Sequence, residues 1–331
     1  MIFLILCALS ILSMLMYFHR KHKNNKRRQC AYGCIKAYNV LDKPDQYSDL
    51  KELFETLDSH EERYFYSVSM SRIMFPQALD KWTNSHPDSG DALLCYGARL
   101  LQWSWSARGY GRGAEISEAQ WKEFFRRLDK TRQVLLECAD KTPEDPTPWA
   151  YLIMVATWYS DSDELKFKYY EEAIARDPYN WAAHMHMIIA LSEKWGGDNE
   201  EMLEFARKAS RNAPTGSDLK LILVKAYIEY WKYLDLFENK IDEANDFLMD
   251  KNIQKDIVDL YNDSLNHESF KETKVTIFVR YNLSGWFWLT RDRSRLKKEL
   301  SILGNKIEDI HWRWVCTEGQ LEDARLFANE S

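Results

Sequence analysis

Glycine and proline are scarce in this chain of 331 residues, with twelve and eight respectively. A β-sandwich or barrel draws on both at its many turns, so the shortage excludes those folds and favours an all-helical one. Cysteine gives no framework either. The six thiols, at positions 7, 30, 34, 95, 138 and 316, are scattered, and one lies inside an apolar N-terminal run. Reduced, mostly buried thiols are expected. Basic charge is absent from most of the chain. Formal charge is −6, yet Arg20, Lys21, Lys23, Lys26, Arg27 and Arg28 crowd into nine residues, and the remainder stands at −12. An acidic body excludes nucleic acid as a partner. Neither H-E-x-x-H nor G-x-S-x-G occurs, and no catalytic residue, metal ligand set or cofactor is expected.

What is present in quantity is apolar and aromatic. Hydrophobic residues make up 45 %, with thirteen Trp and eighteen Tyr, which is ample core for one large domain or two small ones. Met1 to Phe18 (MIFLILCALSILSMLMYF) holds only Ser10 and Ser13 as polar residues. As a helix it would span roughly 27 Å, near the ~30 Å hydrocarbon core of a bilayer. A cleaved signal would carry its positive charge before the apolar run, whereas here the charge follows it. The expectation is a retained transmembrane anchor over 1–18 and a basic juxtamembrane tether over 19–45. The basic stretch then places the N-terminus outside and the main domain in the cytoplasm, at the inner membrane. Cys30 and Cys34 in the tether lack a second ligand pair for a metal; palmitoylation is the alternative to plain thiols.

From 46 to 331 the pattern is helical. Leu50, Leu53, Phe54 and Leu57 follow i, i+3, i+4, i+7 spacing, and Ser59 with Glu62 fits a capping box. Further helices are expected over 91–107, 121–139, 164–176 and 220–237, with one or two more between 241 and 270. The stretch 274–289 (KVTIFVRYNLSGWFWL) is rich in β-branched and aromatic residues, but after a helical array it reads as another helix. Breaks recur at Asp145-Pro146, Asp177-Pro178 and Ala213-Pro214, so the prolines step by 32 and then 36. Periods near 34 with paired helices mean stacked hairpins that bury their apolar faces on one another.

YYEEAIARDPYNWAAHMHMIIAL resembles the tetratricopeptide repeat, with Tyr169/Tyr170, Ala173, Asp177, Pro178, Ala183 and His184 in that motif's phase. FARKASRNAPTG repeats it with Phe205, Ala209 and Pro214. The chain is also similar to an uncharacterised bacterial tetratricopeptide-like family in its Trp105-to-Gly109 stretch (WSARG), its Thr142-to-Pro146 linker and its Lys194-to-Gly197 turn (KWGG). The resemblance covers 46–331, most clearly 146–214. It implies a right-handed α-solenoid, here preceded by the transmembrane helix, and it implies no activity. In tetratricopeptide phase, Tyr151, Trp158, Met185, Ser192 and Glu193 would line a concave groove for a protein or peptide partner.

Around this groove stand two loops. Gly109 to Gly113 superficially looks like a phosphate loop but has no strand before it and no Gly-Lys-Ser/Thr after it. Arg108 and Arg112 there, with Trp195 in the KWGG turn, are possible loop contacts. Trp195 either packs across a turn capped by glycine or is presented to a partner. The functional expectation is a partner-binding scaffold, with an immunity or secretion accessory as its narrower form. The alternatives are an enzyme with its site near Arg108–Arg112, or a self-associating membrane organiser.

Overall fold

A computed structural model of the chain describes residues 47–71, 77–109, 111, 113–159, 162–307, 312, 315–316 and 320–330. Every regular element among these residues is a helix, so the all-α expectation stands. The transmembrane element of that expectation does not. No helix of the described residues is long and apolar enough to cross a membrane. The stretch 1–18 that suggested one lies outside the described residues, as do the tether, Cys7, Cys30 and Cys34. What stands is an all-α fold over the described residues, with no transmembrane helix among them.

Fifteen helices follow in order: α1 Tyr47–Glu55, α2 His60–Ser71, α3 Gln77–Ser85, α4 Gly90–Arg108, α5 Glu118–Lys141, α6 Thr147–Ala156, α7 Ser162–Arg176, α8 Trp181–Leu191, α9 Asn199–Asn212, α10 Ile222–Lys232, α11 Ile241–Met249, α12 Lys251–Asp263, α13 Thr276–Leu289, α14 Arg293–Leu303 and α15 Leu321–Asn329. α4 with α5, α6 with α7, α8 with α9 and α13 with α14 form antiparallel hairpins. The first helices of successive units, α4, α6, α8, α10 and α13, pack each on the next and make one inner layer. Small residues allow the close approach. At Gly97 an added Cβ would lie 2.5 Å from Cδ2 of Leu135, so the Leu135 side chain of α5 packs directly on the α4 backbone.

Local chemistry sets the boundaries. Asp145 precedes α6, and its Oδ1 accepts the Thr147 N–H at 2.8 Å, which satisfies a donor that the helix itself leaves open. Asn180 caps α8 by accepting from Ala183 N–H at 2.9 Å. The expected Ser59/Glu62 box forms with one change. Ser59 accepts from Glu62 N–H, while the Glu62 carboxylate reaches the N–H of Asp58, one residue early. The stretch 274–289 is α13, its Trp286, Phe287 and Trp288 buried in the core. Cys95, Cys138 and Cys316 are buried free thiols, and burial pushes Cys138 and Cys316 up to about 12.

The inner layer is not an open groove. α2 lies against α4, α6 and α8. Its Tyr64 ring sits 5.6 Å from Tyr151 of α6, 5.6 Å from His186 of α8 and 6.4 Å from Phe278 of α13. The chain fills its own inner face with one amphipathic helix.

Candidate functional site

Two regions gather chemistry-bearing side chains, the inner face under α2 and the edge formed by the turns within the hairpins. On the inner face the polar groups serve each other. His186 Nδ1 lies 2.7 Å from the Ala150 carbonyl, which can only accept, so Nδ1 carries the proton and Nε2 accepts from Tyr64 Oη at 3.0 Å. Burial lowers the His186 imidazole to about 4, so it is neutral at pH 7. Ser67 of α2 lies 2.9 Å from Tyr151 Oη. His184, two residues from His186, makes a separate bridge, Nδ1 to the Asn180 carbonyl at 2.8 Å and Nε2 from Tyr170 Oη at 2.9 Å.

Charge fastens the start of α2. Arg63 binds Asp145 at 2.7 Å and Asp91 at 2.6 Å. His60 Nδ1 stands 3.5 Å from Asp145, an ion-pair contact too long for a good hydrogen bond. Burial works to raise the Asp145 carboxyl, but His60, Arg63 and Thr147 together hold it down at about 2. The same contact with Asp145 raises the His60 imidazole above its ordinary value. A cleft of about 480 Å³ opens beside this latch, lined by residues 57–61, Arg63 and Arg176–Pro178. Its guanidiniums are already engaged, Arg63 as above and Arg176 with Glu172 at 2.8 Å and the Pro143 carbonyl at 2.5 Å.

At the turn edge the arrangement is different. Trp105 closes α4, Trp121 opens α5, Trp158 follows α6, and Trp195 ends the 3-10 turn Glu193–Trp195 after α8. Their rings converge on one guanidinium. Arg108 Cζ lies 5.3 Å from the Trp121 centroid, 5.4 Å from Trp158, 5.8 Å from Trp105 and 6.0 Å from Trp195. Trp158 meets Trp195 edge-on at 5.3 Å and Trp105 at 5.2 Å. Such contacts contribute about 0.5–1.5 kcal/mol each beyond area burial. The four indoles are half-buried, and Phe125 beside Trp121 is exposed.

Arg108 itself is only 6 % exposed. It donates to the carbonyls of Gly109 at 3.2 Å and Gly111 at 3.1 Å, and its Nε is buried without a hydrogen-bond partner. Desolvation lowers its pKa, with no carboxylate opposing that among the described residues. A guanidinium nonetheless stays charged at pH 7. Local structure holds it there. Gly109 takes φ +78° to end α4, and Gln120 from the capping box of α5 donates to the Arg108 carbonyl.

The edge continues past Trp195. Gly196 adopts φ +87° and caps the turn, and Gly197 passes so close to Leu191 that a Cβ would meet its carbonyl oxygen at 2.2 Å. Glu193 accepts from Tyr233 Oη at 2.7 Å and from Asn199 Nδ2 at 2.9 Å. Lys194 and Lys225 both bind the buried Glu229. Burial alone would raise that carboxyl; Lys194, Lys225 and Lys232 outweigh it and hold it well below the ordinary range.

The sequence-predicted residues divide accordingly. Trp158, Trp195 and Arg108 come together at the turn edge. Tyr151 is buried under α2, Ser192 is buried and returns its hydroxyl to the Ile189 carbonyl, and Met185 is half-buried against the core. Glu193 is exposed beside Trp195. Arg112 lies outside the described residues. Trp105 and Trp121 join the cluster without having been singled out; Trp105 stands three residues before Arg108, one face of one helix. No histidine or carboxylate joins Arg108 there among the described residues, and no group of three His, Cys, Asp or Glu among them could hold a metal ion. No protein-family model, curated protein or solved structure matches the chain.

Proposed function

We propose that the protein is a partner-binding helical scaffold of tetratricopeptide type, and that its working face is the turn edge. One observation carries this reading: four half-buried tryptophans from three successive hairpins converge on an Arg108 that makes no ion pair with a carboxylate among the described residues. Trp and Arg are, with Tyr, the residues most enriched at binding hot spots: the indole offers large contact area at low entropic cost, and the guanidinium a planar fork of directional donors. A partner bringing a carboxylate or a carbonyl to this cluster would supply the acceptor that the fold leaves out. The inner face supports the same choice by contrast, since α2 covers Tyr151 and uses the polar groups around it.

The test is site-specific photo-crosslinking in the native cells. A photoreactive residue at position 195 of the full chain is expected to give discrete protein adducts. The same probe at Glu171, exposed on α7, is expected to give none. Equal labelling at both positions, or none at 195, would overturn the reading.

A further inference from the structure

Exposed large apolar side chains are few and unevenly placed. Of nine among the described residues, Leu236, Phe237, Ile241 and Met249 fall within fourteen consecutive positions, at 45–52 % exposure. Single exposed apolar residues need no explanation; a local concentration of this kind marks a contact surface. It sits on the turn edge. Leu236 and Phe237 end the π-helical turn Tyr233–Phe237, whose Tyr233 bonds Glu193, next to Trp195.

The π turn is what brings Phe237 out. Leu234 is buried at 4 % exposure. In a regular α-helix residue 237 would lie near the same face, three positions on. The wider turn, closed by Glu238 N–H on the Tyr233 carbonyl at 3.0 Å, advances each residue by a smaller angle. Phe237 therefore points away from the core that holds Leu234. Ile241 opens α11 and Met249 closes it, both exposed, while Ala244 and Leu248 between them are buried.

The rim gives the chemistry of the occupant. Residues 235–250 contain Asp235, Glu238, Asp242, Glu243, Asp246 and Asp250 against a single base, Lys240. Lys240 lies 3.9 Å from Glu243 and Asp250 caps α12; Glu238, Asp242, Glu243 and Asp246 are exposed and interleave with the apolar four along the chain. An anionic lipid surface or nucleic acid would be repelled. A second copy docked symmetrically would set acid against acid.

We infer that this acid-rimmed patch docks a basic amphipathic helix of a partner protein, its apolar face on Phe237 and Ile241 and its Lys or Arg residues on the surrounding carboxylates. The inference rests on the reading of the turn edge as the working face. Its probe is a synthetic 18-residue helix with Leu at i, i+3, i+4 and i+7 and Lys elsewhere on its flanks, beside a twin with Glu for Lys. Binding to the purified full-length chain is measured by fluorescence anisotropy.

The Lys peptide is expected to bind at least ten-fold more tightly than the Glu peptide, and more weakly as salt rises. Phe237→Ser with Ile241→Ser should weaken it ten-fold or more, and Glu243→Lys with Asp246→Lys should do the same while flattening the salt dependence. The control pair Glu164→Lys with Glu171→Lys on α7 changes net charge equally and should leave binding within two-fold. Cooperative thermal melts verify that these exposed substitutions keep the fold. Equal binding of both peptides, no binding of either, or equal weakening by the control pair would overturn the inference. So would dimers of the wild-type chain that Phe237→Ser with Ile241→Ser dissolves, since the occupant would then be a second copy. Crosslinks at position 195 with no peptide binding would overturn the patch alone; peptide binding with no crosslinks would overturn the tryptophan site alone.

Discussion

The inner face and the turn edge are built from similar residues and do opposite things with them. Under α2, Tyr64, Ser67, Tyr151 and His186 pair with one another, and Arg63 has two carboxylates. At the edge, Arg108 is just as buried yet has two glycine carbonyls and an orphaned Nε, and aromatic surface remains open around it. A buried polar group costs little once paired and about 1–3 kcal/mol when left unpaired. The inner face therefore behaves as core, and its substitutions should be read in stability. The edge keeps unsatisfied chemistry that stability does not explain, and its substitutions should be read in binding.

The strongest way to break this contrast is Arg63→Ala. It leaves the buried Asp145 carboxylate without its guanidinium, and removing one partner of such a pair costs about 3 kcal/mol or more. Urea unfolding followed by circular dichroism should show that loss. A change below about 1 kcal/mol would mean that α2 is not fastened as described. Tyr64→Phe is the finer probe. It deletes the one donor to His186 Nε2 and keeps the ring, so about 2 kcal/mol should be lost.

His186 also makes the inner face sensitive to acid. Its folded pKa of about 4 lies below the 6.5 of an ordinary imidazole. The folded state thus prefers the neutral ring; this contribution is full above pH 6.5 and fades as pH falls toward 4. At pH 5 the loss is roughly 2 kcal/mol, at about 1.4 kcal/mol per pKa unit. Burial shifts His184 the same way. His60, raised by Asp145, acts oppositely: its contribution is present below pH 6.5 and is lost as pH rises through its folded pKa. Because His60 is half exposed, solvent screening makes its share the smaller one. The stability difference between pH 7.5 and pH 5 should therefore shrink in His186→Asn. An unchanged difference would place the acid sensitivity elsewhere.

Much of the helical order was legible in the chain because it is local. The Asp-Pro breaks, the 32- and 36-residue steps and the Trp-Gly-Gly turn are short-range signals, and each lies at a boundary or cap in the fold. Arg108, Trp158 and Trp195 were legible as candidates, though not as neighbours. What hid the state of the inner face is distance. Tyr64 reaches His186 across 122 residues and Ser67 reaches Tyr151 across 84. An apolar periodicity says that a face is covered and not by which helix. The turn after α10 was illegible for another reason. Residues 220–237 show one α-helical pattern, and only a π turn takes Phe237 off it.

The smallest expected stability effects belong to the edge. Trp195→Ala loses edge-on contacts with Trp105 and Trp158 and one face of the Arg108 cage, all half-buried, and should cost about 1–2 kcal/mol in the same urea experiment. That remains below Arg63→Ala although far more side-chain volume is removed. Phe237→Ser should cost about 1 kcal/mol, since a side chain 46 % exposed buries only about half its apolar surface on folding. If Phe237→Ser instead destabilises the fold by as much as Tyr64→Phe, the residue is covered by the chain itself, and the edge is core like the inner face. If stability largely holds while binding of the basic peptide falls, the two faces differ as their exposure implies: one is covered by its own chain, and the other is completed by a partner.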